Sequence, residues 1–338
     1  MLKIFFTLTL SFAVPALSCT AFLNSTLQRF VVAKNFDWDL GHGLLMVNKQ
    51  NVQKVALYAE TTDMPLMWTS KYGSITFNQL GREMPYGGMN EKGLTIEILW
   101  LDETQYPPQI PEIMEANESQ WVQSMLDRAK TIDEMISLSK EFQINSRHGK
   151  VHYFACDSTG DCAVFEYLKG KFVISRLNNK SDVKAITNNS YKESIKAFKG
   201  SKKFPEDPSS LSRFIRAATL IKRSKDSEAL VPATFKILDS VSNDQTKWSI
   251  VYDPSRNKIF FKTKAKPDVK EVSLNYFDWS CGAAVKVLDV NTPAKQDVSG
   301  AFEDYTDILN THIVEKNKFL PKESWKAIES APGRDHCI

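Results

Sequence analysis

The stretch "CTAFLNSTLQRFVVAKNFDW", residues 19 to 38, contains two β-rich runs on either side of a short polar segment. Such a pattern predicts a β-hairpin. If its turn is centred between residues 26 and 27, Cys19 lies directly opposite Lys34, and Asp37 lies at the end of the same ladder. A neighbouring cation favours the thiolate, so this register predicts a Cys19 pKa lowered towards neutrality.

Residues 1 to 18, in front of the hairpin, have the composition of an export signal. Lys3 supplies positive charge, "IFFTLTLSFAV" is a short apolar core, and Ala16 and Ser18 are small residues before Cys19. We expect this segment to be removed and the product to be periplasmic or secreted. Removal would make Cys19 the first residue, and its α-amine, with a pKa of ~7.7 to 8.0, could serve as its own general base.

A cysteine directly after a signal can also be a lipidation site, where the thiol carries lipid and cannot attack a substrate. Lipoprotein signals usually have a large aliphatic residue three positions before the cysteine, and a flexible polar tether often follows it. Here Ala16 stands at that position and a strand follows at once. These features favour a free Cys19, and a lipid-anchored periplasmic binding protein is the alternative outside the enzyme class.

Export implies an oxidising compartment, in which the five cysteines tend to pair. Cys156 and Cys162 flank the turn sequence "DSTGD" between β-rich runs, where either a disulfide or two reduced strand thiols fit. If Cys281 and Cys337 also pair, Cys19 is left over. An odd cysteine in a secreted protein suggests a reactive thiol.

Composition excludes several other functions. The 338 residues carry 43 Lys plus Arg and 40 Asp plus Glu, without a basic stripe interleaved with aromatic residues, so a nucleic acid is not an expected partner. No segment after the signal approaches the ~20 apolar residues of a membrane span. No metal or other cofactor is expected, because the histidines share no ligand spacing: His42, His148, His152, His312 and His336.

The rest of the chain mixes β-rich runs with a few amphipathic helices. Apolar spacing predicts one helix over residues 118 to 142 and a second that begins at Ser209 or Ser210. Successive antiparallel strands with helices grouped between them indicate an α+β layered fold rather than a doubly wound parallel sheet. The predicted strands are "GLTIEILWL", "VHYFAC", "CAVFEYL", "KFVISR", "KWSIVYD" and "NKIFFKT".

Five motifs in order, "CTAF", "KNFDW", "GGMNEKGLTIEILWL", "AITNNS" and "SRFIRAA", resemble those of the choloylglycine hydrolase family. This family includes bile salt hydrolases and penicillin V acylases, which are N-terminal nucleophile hydrolases of linear amides. The resemblance runs from Cys19 to about Arg216, with weaker support in "WSIVYDPSRNKIFF". It implies an αββα four-layer sandwich, a single domain over residues 19 to 338, autoprocessing, an N-acyl amide substrate and commonly a homotetramer.

The resemblance assigns roles to residues of the hairpin. Cys19 matches the nucleophile, and Asp37 matches the aspartate that holds and orients the α-amino group. Lys34 stands where most members have arginine, so it keeps the charge but not the planar two-pronged donor. Phe22 is a candidate substrate-binding residue, because it is an apolar residue close to the nucleophile; a place in the core fits it equally well.

Three further matches lie outside the hairpin. Asn188 matches the side-chain donor of the oxyanion hole, with Asn189 as a competing candidate, and Arg213 matches an arginine near the active site. Trp100 matches the residue whose backbone N–H donates to the oxyanion. Its side chain is also a candidate for substrate binding.

Trp100 also bears on the substrate, because bile salt hydrolases have asparagine at this position and the better-known penicillin V acylases have tyrosine. Tryptophan resembles the exported Gram-negative acylases. The expected substrates are therefore penicillin V and long-chain N-acyl homoserine lactones. Conjugated bile salts and the substrates of acid ceramidase-like lipid amidases are the alternatives.

Overall fold

The computed structural model describes residues 18–57, 64–145, 149–179, 182–224, 229–317 and 337. Its strands are β1 (Thr20–Ser25), β2 (Phe30–Asp37), β3 (Leu44–Asn48), β4 (Gln53–Val55), β5 (Met67–Thr69), β6 (Ser74–Asn78), β7 (Pro85–Asn90), β8 (Thr95–Trp100), β9 (Met114–Ala116), β10 (Phe142–Ile144), β11 (Val151–Cys156), β12 (Cys162–Leu168), β13 (Lys171–Arg176), β14 (Ala185–Ile186), β15 (Thr246–Asp253), β16 (Lys258–Thr263), β17 (Lys270–Ser273), β18 (Lys286–Asp289), β19 (Gln296–Asp297) and β20 (Glu303–Asp304). The helices are α1 (Glu118–Arg128), α2 (Ile132–Leu138), α3 (Tyr191–Gly200), α4 (Ser210–Arg223), α5 (Leu230–Ser240) and α6 (Asp307–Lys316).

β1 and β2 form the predicted hairpin, but the predicted register was wrong by two residues. Ala21, not Cys19, lies opposite Lys34, because the turn is centred closer to β2 and Thr26 N–H donates to Arg29 O at 2.8 Å. A shift of two residues leaves every side chain on the same face of the sheet. Cys19 and Lys34 therefore still lie on one face, as diagonal neighbours.

The hairpin belongs to the first of two large sheets. The seven-stranded sheet has the order β14-β1-β2-β15-β16-β17-β19, and the nine-stranded sheet has the order β13-β12-β11-β8-β7-β6-β3-β18-β20. One apolar cluster contains side chains from facing surfaces of both sheets, among them Leu23, Val32, Phe154 and Val164. The sheets therefore stack face to face.

Helices cover the outer face of each sheet. Phe214 of α4 and Leu238 of α5 pack with Phe22 and Val31 of the seven-stranded sheet. Trp121 of α1 packs on Tyr153 of β11, with ring centroids 4.1 Å apart. The order helix, sheet, sheet, helix confirms the predicted αββα sandwich.

The predicted helix over residues 118 to 142 was wrong in its continuity. The backbone of Ala129 is extended, with φ −105° and ψ 151°, so α1 ends there. The Thr131 side chain then accepts from Glu134 N–H and starts α2. Ala129 and Ile132 fit one apolar periodicity, but the capping threonine between them divides the segment. The predicted start of α4 was correct, because the Ser209 side chain accepts from Ser212 N–H.

Four of the cysteines form two disulfides, and the sequence permitted both pairings. Cys156 and Cys162, opposite each other on β11 and β12, form a disulfide, and Cys281 forms a second one with Cys337. Cys19 is left as a free, buried thiol. The odd thiol of the chain is therefore at the start of β1.

Candidate active site

The thiol of Cys19 lies between the two sheets, immediately before the first residue of β1, with 5% of the residue exposed. Its Sγ lies 3.8 Å from the carbonyl oxygen of Asp37. Burial raises the pKa of the thiol from 9.0 to about 11, although the positive charge of Lys34 acts in the opposite direction. The expectation of a pKa near neutrality was wrong, because desolvation outweighs the cation. Cys19 is therefore protonated at neutral pH and needs a base.

The Asp37 carboxylate is buried beside the junction of Ser18 and Cys19. Asn243 Nδ2 donates to Asp37 Oδ2 at 3.1 Å and to Ser18 Oγ at 2.8 Å, which places the carboxylate close to this peptide bond. Asp37 Oδ1 is buried without a hydrogen-bond donor among the described residues. Burial raises the pKa of Asp37 to about 6, opposed first by the nearby Thr246 hydroxyl and then by the charge of Arg213. An unpartnered carboxylate oxygen is suited to receive a cation.

Lys34 occupies a split between β7 and β8. Their ladder pairs Gly87 with Glu97, and the next residues in that register, Tyr86 and Ile98, are not paired. Both of these carbonyl oxygens accept from Lys34 Nζ instead, at 2.7 and 2.9 Å. The ammonium group thus takes the place of the ladder bonds and holds the strands apart.

The third partner of Lys34 is Glu97, whose Oε2 lies 2.7 Å from Nζ, with both side chains at most 1% exposed. Burial raises the pKa of Glu97, and the charge of Lys34 lowers it. Gly87 makes room for the carboxylate, since a Cβ there would lie 2.2 Å from Glu97 Oε2. Glu97 is not among the residues that the motifs predicted. A lone charge within the apolar run "GLTIEILWL" could have revealed it, because a buried carboxylate needs a partner.

The backbone N–H of Trp100 faces this split. Leu101 N–H donates to Lys150 O, and backbone direction alternates along an antiparallel ladder, so the N–H and C=O of Trp100 point away from β11. They point to the side where β7 has already left the ladder. The Trp100 N–H is thus available to a ligand.

Asn188, in the loop after β14, is brought to the same place. Its Nδ2 donates to Trp100 O at 2.9 Å and its Oδ1 accepts from Arg213 Nη2 at 2.8 Å. An amide nitrogen carries two hydrogens, so one remains for a ligand. Asn189 instead donates to Glu193 of α3 at 2.9 Å. Geometry therefore selects Asn188 over its neighbour.

Arg213 joins the amino end of β1 to the loop that carries Asn188. Its Nη1 donates to Cys19 O and to Thr20 Oγ1, both at 2.7 Å, and its Nε donates to Pro208 O at 3.2 Å. The side chain is fully buried in the first turns of α4, where the helix dipole disfavours a cation. These acceptors offset that cost, and they fix the position of Cys19 relative to Asn188.

An apolar cleft opens beside Cys19. Its wall includes Phe36, Trp38, Leu80, Met84, Tyr86 and Trp100. Phe22 does not line it, so the prediction that Phe22 binds substrate was wrong. Successive residues of a strand point to opposite faces, and Phe22 packs on the helical side with Phe214. Phe36, on the inner face, lines the cleft instead.

The described residues contain no helix long and apolar enough to cross a membrane. Within the same part of the chain, no group of three or more His, Cys, Asp or Glu side chains could hold a metal ion.

An αββα sandwich with a thiol at the start of its first strand has the fold of the N-terminal nucleophile hydrolases. The chain belongs to the choloylglycine hydrolase family of linear amide C–N hydrolases, whose model matches residues 19–285. It is therefore an enzyme of the class that contains penicillin V acylases and bile salt hydrolases, which confirms the resemblance seen in the motifs.

Known relatives agree with this assignment. The penicillin V acylase of Pectobacterium atrosepticum is 27% identical to this chain, in an alignment that covers 87% of this chain and 90% of that protein. Among solved structures, a penicillin V acylase from Agrobacterium tumefaciens aligns with a TM-score of 0.74 at 24% identity, covering 85% of this chain and 98% of that one. A conjugated bile acid hydrolase variant from Clostridium perfringens gives 0.68 at 18% identity, covering 82% and 98%. At these identities the two structures show a shared fold.

Proposed function

We propose that this enzyme cleaves linear N-acyl amides with Cys19 as an N-terminal nucleophile, after residues 1 to 18 have been removed. The main support is the hydrogen-bonded chain that connects Cys19 through Arg213 to Asn188, and Asn188 to Trp100. It brings together a free thiol, an apolar cleft and two N–H donors that have no acceptor among the described residues. We place the mature enzyme in the periplasm or outside the cell, because residues 1 to 18 have the composition of an export signal.

The reaction begins at the amino end of the mature chain. The α-amine of Cys19 accepts the thiol proton, because the buried thiol is otherwise protonated. Asp37 Oδ1 then holds the resulting ammonium, and the sulfur attacks the carbonyl carbon of the amide. This mechanism needs no histidine at the site.

The attack turns the carbonyl oxygen into an oxyanion, which the Trp100 N–H and the free N–H of Asn188 stabilise. Removal of one such donor typically costs ~10²- to 10³-fold in rate. The ammonium returns its proton to the leaving nitrogen as the C–N bond breaks. Water then attacks the acyl-thioester and passes a proton to the amine. The C–S bond breaks to release the acid, and the ammonium returns the proton to the sulfur.

The cleft favours an apolar acyl group. Phe36 and Trp38 stack with centroids 6.4 Å apart, and Tyr86 meets Phe36 edge to face at 5.4 Å. Aromatic walls of this kind suit a phenoxyacetyl group or a long alkyl chain. Penicillin V and long-chain N-acyl homoserine lactones are the substrates that we propose.

The experiment that tests this function compares the purified enzyme with Cys19→Ala on a panel of phenoxyacetyl, alkanoyl and bile acid amides. The parent should release amine most rapidly from the phenoxyacetyl and long alkanoyl amides. Cys19→Ala should lose at least ~10³-fold of kcat, with unchanged circular dichroism. Full activity of Cys19→Ala would refute the nucleophile, and a preference for bile acid amides would refute the substrate class.

A further inference from the structure

His152 and Glu166 form a buried pair that the mechanism above does not use. The ladder of β11 and β12 pairs Tyr153 with Phe165, so the next residues along it, His152 and Glu166, are cross-strand neighbours. His152 Nδ1 lies 3.3 Å from Glu166 Oε1, and both side chains are at most 2% exposed. A titratable pair is thus enclosed between the sheets.

This pair holds both ends of the segment that carries Asn188. His152 Nε2 lies 2.8 Å from the carbonyl oxygen of Thr187, the residue before Asn188. On the other side of the segment, Tyr191 N–H donates to Glu166 Oε1 at 2.9 Å. The nine-stranded sheet therefore fixes a loop that follows β14 of the opposite sheet.

The hydrogen-bond partners of the His152 imidazole indicate which of its ring nitrogens carry a hydrogen. Thr187 O can only accept, so Nε2 carries a hydrogen. Nδ1 faces a carboxyl oxygen that already accepts from Tyr191, and two lone pairs at this distance would repel each other. A hydrogen bond therefore links Nδ1 to Glu166 Oε1, so both buried groups have partners, which lowers the cost of burying them.

We propose that His152 and Glu166 are positioning residues for the oxyanion hole. By holding Thr187 O and Tyr191 N–H, they direct the free amide hydrogen of Asn188 towards the oxyanion, and they act on the reaction only through Asn188. This inference rests on the proposed function, because it needs an oxyanion formed at Cys19.

The test compares His152→Phe and the conservative Glu166→Gln with the parent on one phenoxyacetyl amide. A misplacement of about 1 Å can cost ~10²-fold in rate, so kcat should fall ~10- to 100-fold for His152→Phe, with a smaller loss for Glu166→Gln. KM should stay within about threefold, because the acyl cleft is untouched. His312→Gln, at an exposed position of α6, is the matched control and should keep the parental rate.

Two measurements distinguish a positioning role of His152 and Glu166 from a general loss of structure at the site. Alkylation of Cys19 by iodoacetamide forms no oxyanion, so its rate should stay within about twofold of the parent in both variants. In an Asn188→Ala background, His152→Phe should cost little more, because residues that act as one unit are not additive. The loss of kcat caused by Glu166→Gln is measured in the same Asn188→Ala background. If His152→Phe does not fold, this second comparison tests the positioning role.

Parental kcat in the folded variants would overturn the proposal. An equal loss with and without Asn188, or a parallel loss of alkylation, would also overturn it and would indicate a structural role. Cys19→Ala is included to keep the two claims distinct. If Cys19→Ala is active, the proposed function fails, whereas an inactive Cys19→Ala with normal His152 and Glu166 variants refutes only the positioning role.

Discussion

At the scale of single residues, the site combines charges that burial makes costly. Lys34 lies on the same face as Cys19. Burial nevertheless outweighs the Lys34 charge and raises the pKa of the Cys19 thiol to about 11. The Lys34 charge is taken up by Glu97 and by the two carbonyl oxygens of the split between β7 and β8. We conclude that Lys34 shapes the site more than it activates the thiol.

Glu97→Gln tests this conclusion, because it leaves the Lys34 ammonium buried without its counterion. Removing one partner of a buried ion pair typically costs about 3 to 5 kcal/mol, so the free energy of unfolding in urea should fall by that amount. The double variant Lys34→Met with Glu97→Gln should regain much of the loss. Additive losses in the double variant would show that the two charges do not compensate each other.

Asp37 gives the site a pH dependence in the chain that still carries Ser18. Burial raises the pKa of Asp37 to about 6, above the ~3.9 of an unfolded aspartate, so the native state binds the proton more tightly. The free energy of unfolding should therefore fall as the pH rises from about 4 to about 6.

The measurement is the urea midpoint against pH for the uncleaved chain and for Asp37→Asn. The variant should be the more stable protein above pH ~6, and its advantage should shrink towards pH ~4. The mature chain should show a smaller effect, because its α-ammonium favours the carboxylate. Parallel profiles for the uncleaved chain and Asp37→Asn would contradict the raised pKa.

At the scale of secondary-structure elements, α4 connects stability to the site. Ser209 caps α4, which carries Arg213, and Thr131 caps α2, which lies on the other side of the molecule. Each alanine substitution should cost about 0.5 to 2 kcal/mol of stability, measured by urea unfolding. Only Ser209→Ala should also lower kcat, by about twofold to tenfold. An equal effect of both variants on kcat would show that α4 does not specifically position Arg213.

Features set by neighbouring residues could be predicted from the sequence, whereas features set by distant contacts could not. The β1–β2 hairpin and the start of α4 follow from local residue patterns. The hairpin register depends on where Thr26 closes the turn, and the break between α1 and α2 depends on how Thr131 competes with an apolar periodicity. The sequence does not show that Phe36 rather than Phe22 lines the cleft, because alternation along a strand does not reveal which face meets the helices.

At the scale of the whole molecule, the two sheets bring together residues that are far apart in the chain. Cys19 and Arg213 lie on β1 and on a helix that covers its sheet, whereas Trp100 and Glu97 lie on the opposite sheet. Asn188 connects the two halves by bonding to both Trp100 and Arg213. The motifs predicted every member of this set except Glu97, but the contacts across the two sheets required the structure.

The most direct test of the central claim is the mass of the enzyme trapped with a slowly hydrolysed phenoxyacetyl amide. We predict a chain that begins at Cys19 and carries one phenoxyacetyl group, located by peptide mapping on Cys19 and released by neutral hydroxylamine, as a thioester should be. Cys19→Ala, produced with the same amino end, should gain no mass. An active enzyme that begins at another residue, that carries lipid on Cys19, or that is acylated elsewhere would contradict the account.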